Sequence, residues 1–164
     1  MILKRVTLKD IAGQTGYAVN TVSKALRDAP DLAADTKMRI RAAADEMGYI
    51  VNNAANSLRS GKTRTIALIV ADITNPLFAI FAKEVEAVAR VANYTVFMMN
   101  TDEHPLREDE AVRAAIEKNA DGVLLFQTQR SGGALTRLKS AGIPYVLLCR
   151  AEDDPQADAV MIDE

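Results

Sequence analysis

The sequence has few of the residues that build metal, redox and hydrolytic sites. It contains one cysteine, Cys149, one histidine, His104, and no tryptophan. A single cysteine excludes a disulfide within the chain and is typical of a reducing compartment. A single histidine in a predicted loop supports neither a multi-histidine metal site nor a Ser-His-Asp triad. We therefore expect no enzyme, no metal and no cofactor.

Long apolar runs are also missing. No stretch of 18 apolar residues occurs, and the basic start, residues 1–5, is followed at once by polar residues typical of a helix N-terminus. Neither a transmembrane helix nor a secretory signal peptide fits this pattern. We expect a cytoplasmic protein with no membrane partner.

The two parts of the chain carry opposite charge. Residues 1–64 contain 11 Lys or Arg against 6 Asp or Glu, a balance of +5, whereas residues 65–164 contain 9 against 16, a balance of −7. A basic head of this kind suits a polyanion. The candidate phosphate contacts are Lys4, Arg5, Lys9, Lys24, Arg27, Arg59, Lys62 and Arg64.

Residues 7–26 have the pattern of two short helices joined by a tight turn. Thr7 can cap the first helix, which Gly16 ends, and the second runs from about Ala18 to Leu26 with small polar residues on its outer face. Such a helix fits the major groove of DNA. An ordinary amphipathic helix pair in a small bundle fits the local pattern as well.

Four short motifs follow one another along residues 7–58. They read T-L-K-D-I-A at 7–12, T-V-S-K-A-L at 21–26, T-K-M-R-I at 36–40 and G-Y-I-V-N at 48–52. In this order they resemble the head of the LacI/GalR family of bacterial transcription regulators, over residues 7–58. Four positions depart from the family pattern. Tyr17 and Ala18 replace a Val-Ser pair, Ala33 replaces a capping serine, and Val51 replaces a proline.

The resemblance implies which residues address DNA. Val19, Asn20 and Lys24 would read base edges, because valine can touch a thymine methyl, asparagine can pair with adenine and lysine can donate to guanine. The residues that would position the head on the DNA backbone are Thr7, Leu8, Thr21, Ser23, Arg27 and Asn52.

Residues 52–62 are small and polar, with Leu58 as the one large apolar side chain. In the family this segment is a hinge that becomes helical on the operator, and Leu58 matches the residue that wedges into the minor groove. A flexible linker with an incidental leucine is the alternative.

From Thr65 onward, short apolar runs alternate with helical patterns, which predicts a parallel sheet covered on both faces. The predicted strands are Ile66–Ala71, Thr95–Met99, Gly122–Phe126, Tyr145–Cys149 and Ala159–Ile162, and the predicted helices cover Pro76–Asn93 and begin near Pro105 and Ala134.

The loop D-I-T-N-P-L-F at 72–78 resembles the effector loop of the family's sugar-binding body. With the loops after later strands, it gives the candidate effector residues Asp72, Asn75, Phe78, Asp102 and Arg150. In the alternative interpretation, Asn75 serves only to start the following helix and Phe78 belongs to the core. Cys149 stands where the family has an acid, which leaves the partner of Arg150 open.

These expectations combine into three segments: an all-α three-helix helix-turn-helix head at 1–51, a hinge helix or linker at 52–62, and at 63–164 an incomplete α/β parallel-sheet lobe resembling the first subdomain of a periplasmic binding protein. The resemblance implies a sequence-specific DNA-binding transcription regulator that acts as a repressor in the bacterial cytoplasm, at the nucleoid when bound to DNA. It would act as a homodimer on a near-palindromic operator under control of a sugar-like effector. The alternative is a small-molecule binding module without regulatory DNA binding.

Overall fold

The computed structural model describes residues 5–50, 57, 61–129, 133–150 and 157–161. The chain folds as two compact units, Met1–Asn52 and Asn53–Glu164. Each unit has its own buried apolar core. The hinge residue Leu58, and Asn52 before it, lie outside the described residues.

The first unit contains three helices: α1 (Leu8–Thr15), α2 (Val19–Leu26) and α3 (Ala34–Glu46). Each contributes to one small core, and the five residues of that core are at most 3% exposed. They are Ile11, Val22, Ala25, Ile40 and Ala44. The three-helix head expected from the motifs is therefore confirmed.

The helix ends follow local chemistry. Thr7 and Asp10 form a capping box at the start of α1, and Gly16 ends that helix in the left-handed conformation at φ 76°. Ala18 and Ala33 stand at the N-caps of α2 and α3, and neither gives a side-chain hydrogen bond to the helix start. Both helix starts therefore lack the stabilising hydrogen bond that a serine at the N-cap would supply.

Tyr17, one of the departures from the family pattern, is used in packing. Its side chain is half-buried against the head core. The guanidinium of Arg39 on α3 lies 5.8 Å from the centre of the tyrosine ring, within the range of a cation–π contact. The larger side chain thus links the turn before α2 to the face of α3.

The second unit is a sheet of parallel strands with helices between them. The strands are β1 (Thr65–Val70), β2 (Thr95–Asn100), β3 (Gly122–Leu125), β4 (Tyr145–Leu148) and β5 (Asp158–Val160). The helices are α4 (Pro76–Val91), α5 (Pro105–Glu117) and α6 (Ala134–Ala141). In the described residues the strand order is β2-β1-β3-β4-β5. The parallel α/β lobe is confirmed, with β5 beginning one residue earlier than expected.

The two faces of this sheet are covered differently. Alternate residues such as Ile69, Leu125 and Leu147 are fully buried in a cluster that includes side chains of α5 and α6. The opposite face packs against α4, where Phe78 and Phe81 are only partly buried. No residue of α4 is fully buried. One face is therefore a closed core and the other is partly open.

The strand order fixes where a ligand can bind. Strand β1 pairs with β2 on one side and with β3 on the other, so the chain reverses its direction across the sheet at β1 and β3. In open α/β sheets, ligands sit beyond the carboxyl ends of the strands at such a reversal. The loops that follow β1, β2, β3 and β4 meet at this rim.

Candidate nucleic-acid interface and effector cavity

Helix α2 presents one buried and one exposed face. Val22 and Ala25 are fully buried, while Val19 is 40% exposed and Asn20 is also exposed. Lys24 lies in the last turn of the helix, and its side chain is 39% exposed. All three predicted base-reading side chains are thus at least partly exposed on α2.

The predicted positioning residues have mixed surroundings. The hydroxyl of Thr7 donates to Asp10 at 2.7 Å, so it takes part in the capping of α1. Leu8 is partly buried and packs against the head core. Thr21 and Ser23 are half-buried on α2. Arg27 is exposed, and its Nε donates to the carbonyl oxygen of Ser23 at 3.0 Å.

Lys24 has an acidic partner that the sequence analysis missed. Its ammonium donates to the carboxylate of Asp31 at 2.5 Å. This hydrogen bond from Lys24 is the largest cause that lowers the pKa of Asp31. The spacing of seven residues spans the end of α2 and the loop after it, so no helical periodicity marks the pair.

The loop after β1 forms local hydrogen bonds. Asp72 accepts from the backbone N–H and the hydroxyl of Thr74 at 2.9 and 2.7 Å, and these bonds lower the pKa of Asp72. Asn75 caps α4, because its side-chain oxygen accepts from the N–H of Leu77 at 3.0 Å. Of the two roles that the sequence left open for Asn75, capping of the following helix is the one in which the structure uses its side-chain oxygen.

A cavity of about 170 Å³ lies at the rim of the sheet. It is lined by Ala71, Leu77, Phe78, Glu103, Phe126, Gln127, Leu148, Cys149 and Arg150. Phe78 also meets the ring of Phe126 edge-on, with ring centres 4.8 Å apart, so it is both a core and a lining residue. Of the five predicted effector residues, this lining includes Phe78 and Arg150 and does not include Asp72, Asn75 or Asp102.

Arg150 is held by two groups of the cavity wall. Its guanidinium donates to both carboxylate oxygens of Glu103, at 3.2 and 3.1 Å, and to the carbonyl oxygen of Gln127 at 3.1 Å. Glu103 thus provides the carboxylate that Cys149 does not. One signal along the chain could have indicated this partner, since Glu103 directly follows the predicted residue Asp102.

Asp102 itself is exposed and engaged elsewhere at the rim. Its carboxylate accepts from the side-chain amide of Asn100 and pairs with Arg107 of α5.

Cys149 is half-buried in the left-handed conformation at φ 63°, and burial raises the pKa of its thiol. The thiol is therefore the protonated, weakly nucleophilic form at neutral pH.

A buried polar pair supports the loop after β3. Glu108 of α5 is fully buried, and its carboxylate accepts from the backbone N–H of Thr128 at 2.5 Å. The side chain of Thr128 is also buried, and its hydroxyl has no hydrogen-bond partner among the described residues. Sequence reasoning missed Glu108, since a carboxylate in the first turn of a helix is usually a surface residue.

Two negative observations apply to the residues that the structure describes. No three histidine, cysteine, aspartate or glutamate side chains among them lie close enough to hold a metal ion. None of their helices has the length and apolarity needed to cross a membrane.

A helix-turn-helix head joined to a parallel α/β lobe with a rim cavity defines a class of DNA-binding regulators with a periplasmic-binding-protein-like body. Residues 7–52 match the model of the bacterial regulatory proteins of the lacI family, and residues 63–164 match the periplasmic binding proteins and sugar binding domain of the LacI family. The chain belongs to the LacI family.

Named relatives agree with this assignment. The sucrose operon repressor of Klebsiella pneumoniae is 35% identical over 99% of this chain and 49% of its own length. The regulator PtxS of Pseudomonas plecoglossicida is 33% identical over 97% of this chain and 47% of its own length. The chain therefore spans about half the length of these relatives.

Solved structures share the fold. A LacI family regulator from Silicibacter pomeroyi superimposes with a TM-score of 0.84 at 28% identity, over 96% of this chain and 47% of that one. The Lac repressor dimer bound to operator superimposes with a TM-score of 0.82 at 19% identity, over 96% of this chain and 48% of that one, and shows likeness of fold alone.

Proposed function

We propose that the chain is the DNA-addressing portion of a transcription repressor controlled by a sugar-like effector, with no enzymatic activity, acting in the bacterial cytoplasm. The exposed face of α2 carries this proposal. Val19 and Asn20 begin that face, Lys24 lies near its end, and the opposite face is fully buried, so the helix can enter a major groove without unfolding the head.

Asn20 gives the sharpest test of base reading. A side-chain amide that pairs with adenine contributes about 1–3 kcal/mol of discrimination, or about 5- to 150-fold in Kd. Anisotropy titrations of Asn20→Ala against a duplex selected from a pool of palindromes should show a loss in this range. Gln14→Ala removes another exposed amide, from α1, and serves as the control.

The wild-type chain should also lose affinity steeply as salt rises, because lysine and arginine contacts release counterions from DNA. Salt-insensitive or absent DNA binding by a folded head would contradict the proposal. So would an equal loss of affinity for Asn20→Ala and Gln14→Ala, because the loss would then not be specific to α2.

The hinge part of the proposal rests on the family resemblance. Leu58 would insert into the minor groove between two half-sites, at an unstacking cost of a few kcal/mol that only a matched operator offsets. Leu58→Ala should therefore weaken binding to the selected palindrome far more than binding to a random duplex. Equal losses of affinity for both duplexes would indicate that residues 52–62 are only a linker.

Dimerisation is supported by the open side of α4. Ile80, Val88 and Val91 are 62%, 72% and 86% exposed, which is unusual for three large apolar side chains on one helix. We propose that this surface meets its equivalent in a second copy. Val91→Asp should shift the chain to a monomer in sedimentation velocity, whereas Leu106→Asp, at the 69% exposed Leu106 of α5, should not.

The rim cavity supports the effector part of the proposal, and it is also what favours the alternative of a binding module without DNA control. Arg150 donates to Glu103 and Gln127 within the cavity wall, an arrangement that can also hold a sugar hydroxyl. Calorimetry with a panel of sugars and nucleosides should show binding that Arg150→Gln removes and Arg90→Gln, on the exposed side of α4, retains. Ligand binding by a chain that binds no DNA would favour the alternative.

A further inference from the structure

The ion pair between Lys24 and Asp31 joins the proposed base-reading helix to the loop that follows it. The two charged atoms are 2.5 Å apart, and the side chains are 39% and 54% exposed. Exposed ion pairs of this kind contribute little to folding stability, because water solvates both charges well and the side chains lose rotational freedom. What the structure shows is the place of the lysine ammonium, which lies against the Asp31 carboxylate.

The loop that carries Asp31 is itself held in place. Asp28, in the left-handed conformation at φ 60°, accepts from Arg41 at 2.8 Å and pairs with Lys37 at 3.1 Å. Leu32 packs against the head core on the other side of Asp31. Because both neighbours are anchored, the carboxylate of Asp31 has a defined place relative to α2.

We propose that Asp31 is a positioning residue that makes Lys24 a base reader and keeps it from acting as a phosphate contact. This rests on the proposed DNA-binding function. An ammonium has three donors, so Lys24 can keep its bond to Asp31 and still donate to a guanine edge. A phosphate, however, must compete with the carboxylate for the same charge and is repelled by it.

Two consequences separate this role from a structural one. Without the carboxylate, Lys24 is free to contact a phosphate, so binding to any sequence should tighten and depend more on salt. One added phosphate contact changes the slope of log K against log salt by about −0.9. At the same time, the preference for guanine at the base pair facing Lys24 should fall, because the ammonium is no longer confined to the groove.

The test compares Asp31→Asn with Asp45→Asn in the full chain. Asp45 is an exposed carboxylate near the end of α3, so the control changes the head charge equally. Anisotropy titrations at several salt concentrations use a random-sequence duplex and the palindrome selected by the wild type. We expect tighter random-sequence binding and a salt slope steeper by about one for Asp31→Asn, beyond the change in Asp45→Asn.

Three further measurements keep the proposal falsifiable. Reselection from the palindrome pool should show a weaker guanine preference for Asp31→Asn, and Asp31→Glu should keep the wild-type preference because it retains the carboxylate. In a Lys24→Met background, Asp31→Asn and Asp45→Asn should have the same effect. Thermal melts check that each variant is folded.

Equal salt slopes and equal base preferences in Asp31→Asn and Asp45→Asn would overturn the inference. So would an undiminished difference between the two variants in the Lys24→Met background, because Asp31 would then act without Lys24. Failure of the proposed function looks different, since the wild-type chain would itself bind neither duplex.

Discussion

Replacing Ile11 by alanine should strongly destabilise the head while the stability of the α/β lobe is unchanged. Ile11 of α1 is completely buried in the head core, whose other buried members among the described residues come from α2 and α3. Truncating a buried isoleucine to alanine typically costs about 2–5 kcal/mol, because the apolar contacts are lost and a cavity remains.

That cost has to be compared with the stability of so small a unit. Folded domains have about 0.05–0.15 kcal/mol of stability per residue, and the head unit spans Met1–Asn52, which gives roughly 3–8 kcal/mol. Truncating Ile11 therefore removes at least about a quarter of that stability and, at the upper limit, more than all of it. The uncapped starts of α2 and α3 at Ala18 and Ala33 favour the lower end of the stability range.

Circular dichroism melts of the full chain and anisotropy titrations with the selected palindrome measure the outcome. We expect the head transition to fall by many degrees, with DNA binding lost at temperatures where the transition of the lobe is unchanged. Met38→Ala, at a side chain 64% exposed on α3, is the control and should change stability by less than about 0.5 kcal/mol. An Ile11→Ala chain that melts and binds DNA like Met38→Ala would refute the reasoning.

Three other substitutions test separate parts of the fold. Ala33→Ser should raise the head's free energy of unfolding by about 0.5–2 kcal/mol in urea titrations, because it supplies the missing cap of α3; no gain would contradict that explanation. Phe126→Leu should lower the lobe's free energy of unfolding by more than the loss of buried apolar area accounts for. Its ring makes two edge-on contacts, with Phe78 at 4.8 Å and Phe81 at 5.1 Å, and each adds about 0.5–1.5 kcal/mol. Phe81→Leu removes one of these contacts, so urea unfolding of that variant should show the smaller loss. Burial raises the pKa of Asp121, but hydrogen bonds from the backbone N–H groups of Thr63 and Arg64, just before β1, outweigh burial and hold the pKa below its ordinary 3.8. These bonds therefore stabilise the lobe above that pH, and their contribution is lost as the pH falls through the lowered pKa. Urea midpoints should accordingly fall less on acidification in Asp121→Asn than in the wild type.

Much of the fold follows from short-range patterns. The capping box of Thr7, the glycine end of α1 at Gly16 and the buried stripe of α2 depend on residues within four positions of one another, so the sequence displays them directly. The strands could be predicted because each is an apolar run between helical segments. Their bounds moved by one or two residues, since strand ends depend on pairing with neighbours.

The candidate sites were predicted less completely. Position along the chain indicates that Asp72 and Arg150 each follow a strand, but it does not show that Arg150 bonds to Glu103 and Gln127 or that Asp72 is engaged by Thr74. Asn75 could be interpreted either as a ligand or as a cap, and only the hydrogen bond to Leu77 distinguishes the two.

By itself, the sequence determined the class of protein, the order of its helices and strands, and which face of α2 is exposed. These follow from local periodicity, capping and motif order. The tertiary structure decided which partners the charged side chains contact: Lys24 pairs with Asp31, Arg150 pairs with Glu103, and buried Glu108 accepts from the backbone N–H of Thr128. Such pairs depend on where folded loops bring the side chains, and the spacing of the residues along the chain carries no record of that.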